Sequence, residues 1–172
     1  FAEANLADFE YWIVGEGPEK ARLQALAAKL GIADRVKFWS RLPRQEILHK
    51  LGECLALLHP SLHDSGGWVC LEAMAAGCPV ICLDLGGPAL QVTEETGFKI
   101  AARSPDQTVQ DLAKAMTHLA KDQDLRVQMG EAAQKHVWSS FSWEKRGQLL
   151  VDFYEEVLKQ QAILSHSSPS SV

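Results

Sequence analysis

Two carboxylates eight positions apart, Asp64 and Glu72, are the residues of this chain best suited to chemistry. Glu72 lies within an apolar run, residues 68–76, whose composition predicts a helix buried on every side. A carboxylate in such a helix costs several kcal/mol unless another group hydrogen-bonds it. No Lys or Arg lies within helical reach of Glu72. Its partner is therefore expected from elsewhere in the fold or from a ligand.

The residues just before this helix predict an anion site. Ser65, Gly66 and Gly67 follow Asp64 and can bring bare backbone N–H groups to a helix N-terminus, where anions are favoured. Two carboxylates and an anion site at one helix end indicate a polyhydroxylated, phosphorylated ligand.

Purely local interpretations of the same residues stay open. Asp64 could serve only as an N-cap, and Glu72 could be satisfied by a core tyrosine or by the backbone. Trp68 could stack on a ligand or belong to the core. His59 and His63 flank Pro60, but no third metal ligand is adjacent, so we expect no metal site.

The glycines near the N-terminus do not form a dinucleotide fingerprint. Gly15 and Gly17 are followed by Lys20 where a third glycine is required, and Pro18 lacks an N–H. We expect a tight turn after a strand, either one that a ligand approaches closely or a purely structural one.

A local excess of positive charge follows, at Arg35, Lys37, Arg41 and Arg44. Such a group usually forms a solvated face. The functional alternative is that Arg41, in a loop after a strand, faces a nucleotide or its phosphates.

Composition narrows the class of protein. A net charge of −5 over 172 residues argues against non-specific nucleic-acid binding. The longest apolar stretches have the length of strands, so none is predicted to span a membrane, and no signal peptide opens the chain. Four cysteines without a CxxC pair predict reduced, buried thiols of a cytoplasmic protein.

Strand and helix patterns alternate as far as about residue 100, and helices follow Pro105. This order predicts an α/β fold, a Rossmann-like open parallel sheet flanked by helices. The predicted strands are residues 10–14, 36–39, 54–58, 79–83 and 97–100. Ligands bind such sheets beyond the carboxyl ends of the strands, so the loops there should line one crevice: residues 15–17, 39–41, 59–67 and 84–87.

The two ends of the chain also allow predictions about its extent and order. It opens on Phe1 rather than Met, in what resembles the tail of a helix, so we suspect a fragment. We expect one domain over residues 1–160 and a disordered polar tail over residues 161–172.

Several of these segments, in order, resemble one known family. From about residue 9 to 158 the chain is similar to the C-terminal domain of family 4 retaining glycosyltransferases of the GT-B type. The matching segments are Ile13–Glu19, Asp34–Phe38, His59–Ser61, the acidic pair Asp64 and Glu72 with Leu71–Val80, Gly86-Gly87 and Phe141–Glu144.

The resemblance implies a role for each site residue. Glu72 would hold the ribose hydroxyls of a nucleotide-sugar donor, and Asp64 would lie beside the transferred sugar. The diphosphate would be met by the loop and helix start, that is Ser65, Gly66, Gly67, Trp68 and Val69. Trp39 to Arg41 would approach the base, near the turn of Gly15 and Gly17.

Three departures from the family pattern matter. Asp64 stands where a Glu is usual, and residues 65–68, Ser-Gly-Gly-Trp, replace a common Gly-Phe-Gly-Leu. The family's first strand and its Gly-Arg-Leu…Lys-Gly segment have no counterpart, and the acceptor-binding N-terminal domain is missing. The predicted structure is thus one half of a GT-B fold.

The function that the resemblance implies is transfer of a hexose, with retention, from a UDP- or GDP-linked sugar. The acceptor would be a glycan or a lipid-linked acceptor, as in polysaccharide biosynthesis, reached through the missing domain. No metal or other cofactor is expected, and the full-length enzyme would be cytoplasmic or peripheral to a membrane. Alone, this half should be inactive. A GT-B sugar-nucleotide epimerase and a non-catalytic interaction domain stay open as alternatives.

Overall fold

Strands and helices alternate along the first hundred residues, as the sequence predicts. The computed structural model describes the backbone of residues 1–166 and the side chains of residues 1–161. The elements are β1 (Tyr11–Val14), α1 (Lys20–Lys29), β2 (Val36–Trp39), α2 (Arg44–Glu53), β3 (Leu57–His59), α3 (Trp68–Ala75), β4 (Val80–Leu83), α4 (Gly86–Gln91), β5 (Gly97–Ile100), α5 (Pro105–Lys121), α6 (Gln123–Ser140) and α7 (Trp143–His166).

All strand pairs in the described residues are parallel, which confirms the α/β class. The strands form two sheets rather than the single sheet predicted. One contains β1 and β2, and the other has the order β3-β4-β5. The prediction of one continuous sheet is therefore wrong for this chain, because β1 and β3 do not pair.

One predicted strand boundary is also wrong. The third strand begins at Leu57 rather than at Cys54, since the N–H of Cys54 bonds to the carbonyl of Leu51 and closes α2. The first helix begins at Lys20, and its N-cap is Glu19.

Helix α3 is not buried on every side. Cys70, Ala73 and Met74 form a face with no exposed area, packed into the core. Trp68 is 68% exposed, and Glu72, one turn further, is partly exposed. Residues four apart share a helix face, so α3 has one buried and one open face. The prediction that α3 is buried on every side failed because its open face also carries apolar residues.

The core centres on β4, all four residues of which are buried. Ile81 and Leu83 pack with Met116 and Leu119 of α5, in a cluster that also includes Met129. Burial of this strand on both faces explains its continuous apolar sequence.

The chain divides into two compact units, Phe1–Gln134 and Lys135–Val172. In the second unit Arg146 lies over the ring of Phe141, 4.8 Å from its centroid. Helix α7 is described as far as His166, beyond the predicted start of the polar tail, and residues 167–172 lie outside the described residues. Among the helices described, none has the length and apolar character that crossing a membrane requires.

Candidate functional site

Asp64 organises the segment Asp64–Gly67, here called the glycine loop. Its Oδ1 accepts the N–H groups of Gly66 and Gly67 at 2.9 and 2.8 Å. Its Oδ2 lies 2.9 Å from Nε2 of His59. The two backbone bonds, followed by the contact with His59, lower the pKa of Asp64 below its usual value. The N-cap of α3 is Gly67, so Asp64 closes a turn ahead of the helix and is not an N-cap.

Helix α4 holds the glycine loop from the other side. The N–H of Gly87 donates to the carbonyl of Asp64 at 2.9 Å, and Nε2 of Gln91 donates to the carbonyl of Gly66. A Cβ at Gly86 would collide with the carbonyl of Asp64, and Gly86 has a φ of +59°. Only glycine therefore allows this close approach of α4 to the loop.

The start of α3 offers free backbone donors. Gly67 has a φ of +58°, and a Cβ there would lie 2.6 Å from Oε1 of Gln91. Within the described residues, the N–H groups of Trp68 and Val69 make no hydrogen bond. Gly66 and Gly67, predicted to face a diphosphate, instead direct their N–H groups to Asp64.

Glu72 has one engaged and one open carboxylate oxygen. Nε of Arg44 lies 3.0 Å from its Oε1, and the Glu72 side chain is 28% exposed. No other hydrogen bond to this carboxylate occurs in the described part of the chain. The prediction of a partner from elsewhere in the fold is confirmed, whereas a tyrosine or backbone partner is not found.

The four basic residues do not form one face. Arg35 donates to the carbonyl of Leu6 at 2.7 Å, and Nζ of Lys37 to that of Asp34 at 2.9 Å. Arg41 is exposed. Arg44 is the member of this group that reaches the acidic pair.

Trp39 is partly buried. Nζ of Lys50 lies 4.1 Å from its ring centroid, and its buried Nε1 has no hydrogen-bond partner in the described residues. The N–H of Gly15 donates to the carbonyl of Trp39 at 3.0 Å, which joins the first two loops. Gly15 has a φ of +134°, a backbone conformation that residues with a side chain rarely adopt. A Cβ at Gly17 would contact no other atom.

The four loops thus meet as two pairs. The loops after β1 and β2 contact each other through Gly15, and those after β3 and β4 through Gly87. Arg44 links α2, which follows the first pair, to α3, which follows the glycine loop. Sequence reasoning missed Gln91, and it named His59 in a family segment without predicting its contact with Asp64. Gln91 lies five residues after Gly86, and a single amide side chain there does not by itself predict a functional role.

No group of three or more metal-ligating side chains occurs in the described residues. The four cysteines are free thiols. Cys70, Cys78 and Cys82 are buried as predicted, whereas Cys54 is only partly buried.

Comparison with known proteins places this geometry in a family. A family model described as glycosyl transferases group 1 matches residues 1–136. The chain belongs to this family. Its fold is that of GT-B glycosyltransferases, as the resemblance predicts.

The curated relatives are longer than this group 1 chain. It is 36% identical, over 82% of its length, to the D-inositol 3-phosphate glycosyltransferase of Corynebacterium jeikeium (strain K411). It is 32% identical, over 93% of its length, to the 2-deoxystreptamine glucosyltransferase of Streptomyces kanamyceticus. The chain spans 33% and 42% of these two relatives.

A solved structure shows the same fold. HepE of Anabaena, in complex with UDP-glucose, superposes with a TM-score of 0.76 at 23% identity, covering 90% of this chain and 43% of that one.

Proposed function

We propose that this chain is the donor-binding part of a retaining glycosyltransferase that transfers a hexose from a nucleoside diphosphate sugar. The observation that carries the proposal is the open oxygen of Glu72, one turn from the free N–H groups of Trp68 and Val69. A carboxylate beside bare helix-end donors suits a ligand with both hydroxyl and phosphate groups. UDP-glucose, bound by HepE, supplies a first candidate ligand.

Each group would have a distinct task. Trp68 and Val69 would donate to the diphosphate, and Glu72 would accept from the ribose hydroxyls. Arg44 would fix the Glu72 carboxylate by occupying its other oxygen. Asp64 would act as a positioning residue, because its carboxylate already holds the glycine loop.

The chemistry would be electrostatic. Departure of the diphosphate leaves negative charge at the start of α3, where fixed N–H groups favour it. The acceptor, a glycan or a lipid-linked acceptor, would be bound by parts of the enzyme outside these 172 residues, since the relatives are two to three times as long.

Calorimetric titration with UDP, GDP and UDP-glucose tests the donor role. We expect Glu72→Ala to weaken binding of the preferred nucleotide about tenfold, the loss of roughly 1.4 kcal/mol of hydrogen bonding. Glu46→Ala, an exposed carboxylate near the start of α2, is the matched control and should bind like the parent.

Equal affinity of Glu72→Ala and the parent for every nucleotide would refute the assigned role of Glu72. Binding of none of the three by the parent would favour an interaction domain instead.

A further inference from the structure

Arg44 contacts Glu72 through only one of its hydrogen-bond donors. Nε of Arg44 donates to Oε1 of Glu72 at 3.0 Å. A guanidinium carries its N–H donors in one plane, as a rigid fork. Within the described residues, the N–H groups on the two terminal nitrogens of Arg44 make no hydrogen bond, and its side chain is 75% exposed. The contact with Glu72 therefore fixes the plane of the guanidinium and leaves its outer donors available to a ligand.

Arg44 and the helix-end donors approach Glu72 from different elements. Trp68 and Val69 lie on α3 itself, about one turn before Glu72. Arg44 is the first residue of α2, and α2 follows the loop after β2. The outer donors of Arg44 are thus supplied from the side of Glu72 that belongs to α2, and the donors of Trp68 and Val69 from the side of the glycine loop.

A nucleotide has the shape to use both sides. Its phosphates leave the ribose at C5′ and its base at C1′, from opposite ends of the sugar ring. If Glu72 held the ribose hydroxyls and the start of α3 held the phosphates, the base would be directed away from the glycine loop, toward α2. The base is therefore the part of the ligand that the free donors of Arg44 would meet.

A guanidinium discriminates between bases by its hydrogen-bonding edge. Guanine presents acceptors at O6 and N7, and uracil presents one at O4. Adenine and cytosine carry an amino group at the corresponding position, and its N–H would face an N–H of the guanidinium. Arginine stays protonated in proteins and cannot turn a donor into an acceptor. Its chemistry thus favours a base with a keto oxygen over one with an amino group.

We propose that Arg44 determines the base preference of the site, by donating to the keto oxygen of guanine or of uracil. This assignment rests on the proposed role of Glu72 in holding the ribose, and it adds a ligand contact to Arg44 beyond its contact with Glu72. Arg41, exposed in the loop before α2, is the competing candidate for the same base edge.

Calorimetric titration with two matched pairs of nucleotides tests the assignment. GDP and ADP, like UDP and CDP, differ at this position of the base in carrying an oxygen or an amino group. We expect the parent to bind the keto member of one pair about tenfold more tightly than the amino member, and that pair identifies the base. In Arg44→Met the ratio of the two affinities should fall below about twofold, whatever loss the two members share.

Two further variants separate base reading from charge. Arg44→Lys keeps the positive charge, and with it the attraction to a diphosphate, but lacks the planar fork. Its ratio should also fall, by about threefold or more. Arg22→Met is the matched control, because Arg22 on α1 is 70% exposed and likewise pairs with a carboxylate, that of Glu19. This variant should keep the ratio of the parent.

The possible failures can be told apart. A ratio unchanged in Arg44→Met, a ratio lost in Arg41→Met instead, or a parent that binds both members of each pair equally would overturn the role of Arg44. Each of these results would leave the donor role of Glu72 standing. Binding of none of the four nucleotides by the parent would refute the donor role itself, and the role of Arg44 with it.

Discussion

Arg44 and Glu72 form an ion pair across 28 positions of sequence, with Nε 3.0 Å from Oε1. The Arg44 side chain is 75% exposed and that of Glu72 28% exposed. Exposed pairs of this kind contribute at most about 1 kcal/mol, because water screens them. The pair therefore orients the carboxylate of Glu72 more than it stabilises the fold.

A double-mutant cycle on Arg44→Met and Glu72→Gln should give a coupling free energy of about 0.2–1 kcal/mol by urea unfolding. The comparison pair is Asp111 and Lys114 on α5, also 3.0 Å apart and with a similarly exposed lysine. A coupling energy several times that of the comparison pair would show that Glu72 is a structural carboxylate.

The close approach of α4 to the glycine loop predicts a large effect at Gly86. Gly86→Ala places a Cβ against the carbonyl of Asp64 at a φ of +59°, and we expect a loss of at least about 1–3 kcal/mol of unfolding free energy. Gly17→Ala is the control, since its Cβ meets open space, and its unfolding free energy should change by less than about 1 kcal/mol. Equal urea midpoints for the two variants would contradict the packing described.

The sequence predicted the order of elements and the loops that carry the site, because strand and helix periods are local signals. Glu72 stands out locally as a charge within an apolar helix, and Asp64 as a carboxylate followed by two glycines just before that helix. The predictions that failed concern contacts between residues far apart in the sequence. Arg44 was grouped with a solvated face, and its distant partner is set by how α2 and α3 pack. The interruption between β1 and β3 leaves no local signal in either strand.

The hydrogen bonds to Asp64 predict a specific pH dependence. The pKa of Asp64 is lowered in the folded chain below its usual 3.8. Its bonds therefore stabilise the fold above that value, and this stability is lost as the pH falls through the folded-state pKa. We expect Asp64→Ala to be less stable than the parent near neutral pH, and the difference to vanish in acid well below 3.8.

Urea unfolding of both chains across this range measures the difference. Asp34→Ala is the control, an exposed carboxylate without a hydrogen bond in the described residues. A difference between Asp64→Ala and the parent that stays constant into acid would contradict the role of the charge.

The different burial of Leu119 and Leu90 predicts that their replacement by Ala has different effects on stability. Leu119 has no exposed area within the core cluster, whereas Leu90 on α4 is 85% exposed. Leu119→Ala should cost about 2–5 kcal/mol, the transfer free energy plus a cavity, and Leu90→Ala less than about 0.5 kcal/mol. Thermal and urea unfolding check both. Similar losses for the two would mean that α5 does not pack as described.

The cysteines predict an order of reaction with thiol reagents. Burial is the main cause that raises the pKa of Cys70 and Cys78 to about 12 and that of Cys82 to about 11. Near pH 8 only about one in 10⁴ molecules would carry the Cys70 thiolate, the reactive form. Cys54 is half-buried, so Ellman's reagent should modify it first, and the other three only at the rate of unfolding. In urea all four thiols should react at the same rate. If Cys70 of the folded protein reacted as fast as Cys54, the buried face of α3 would have to open to solvent.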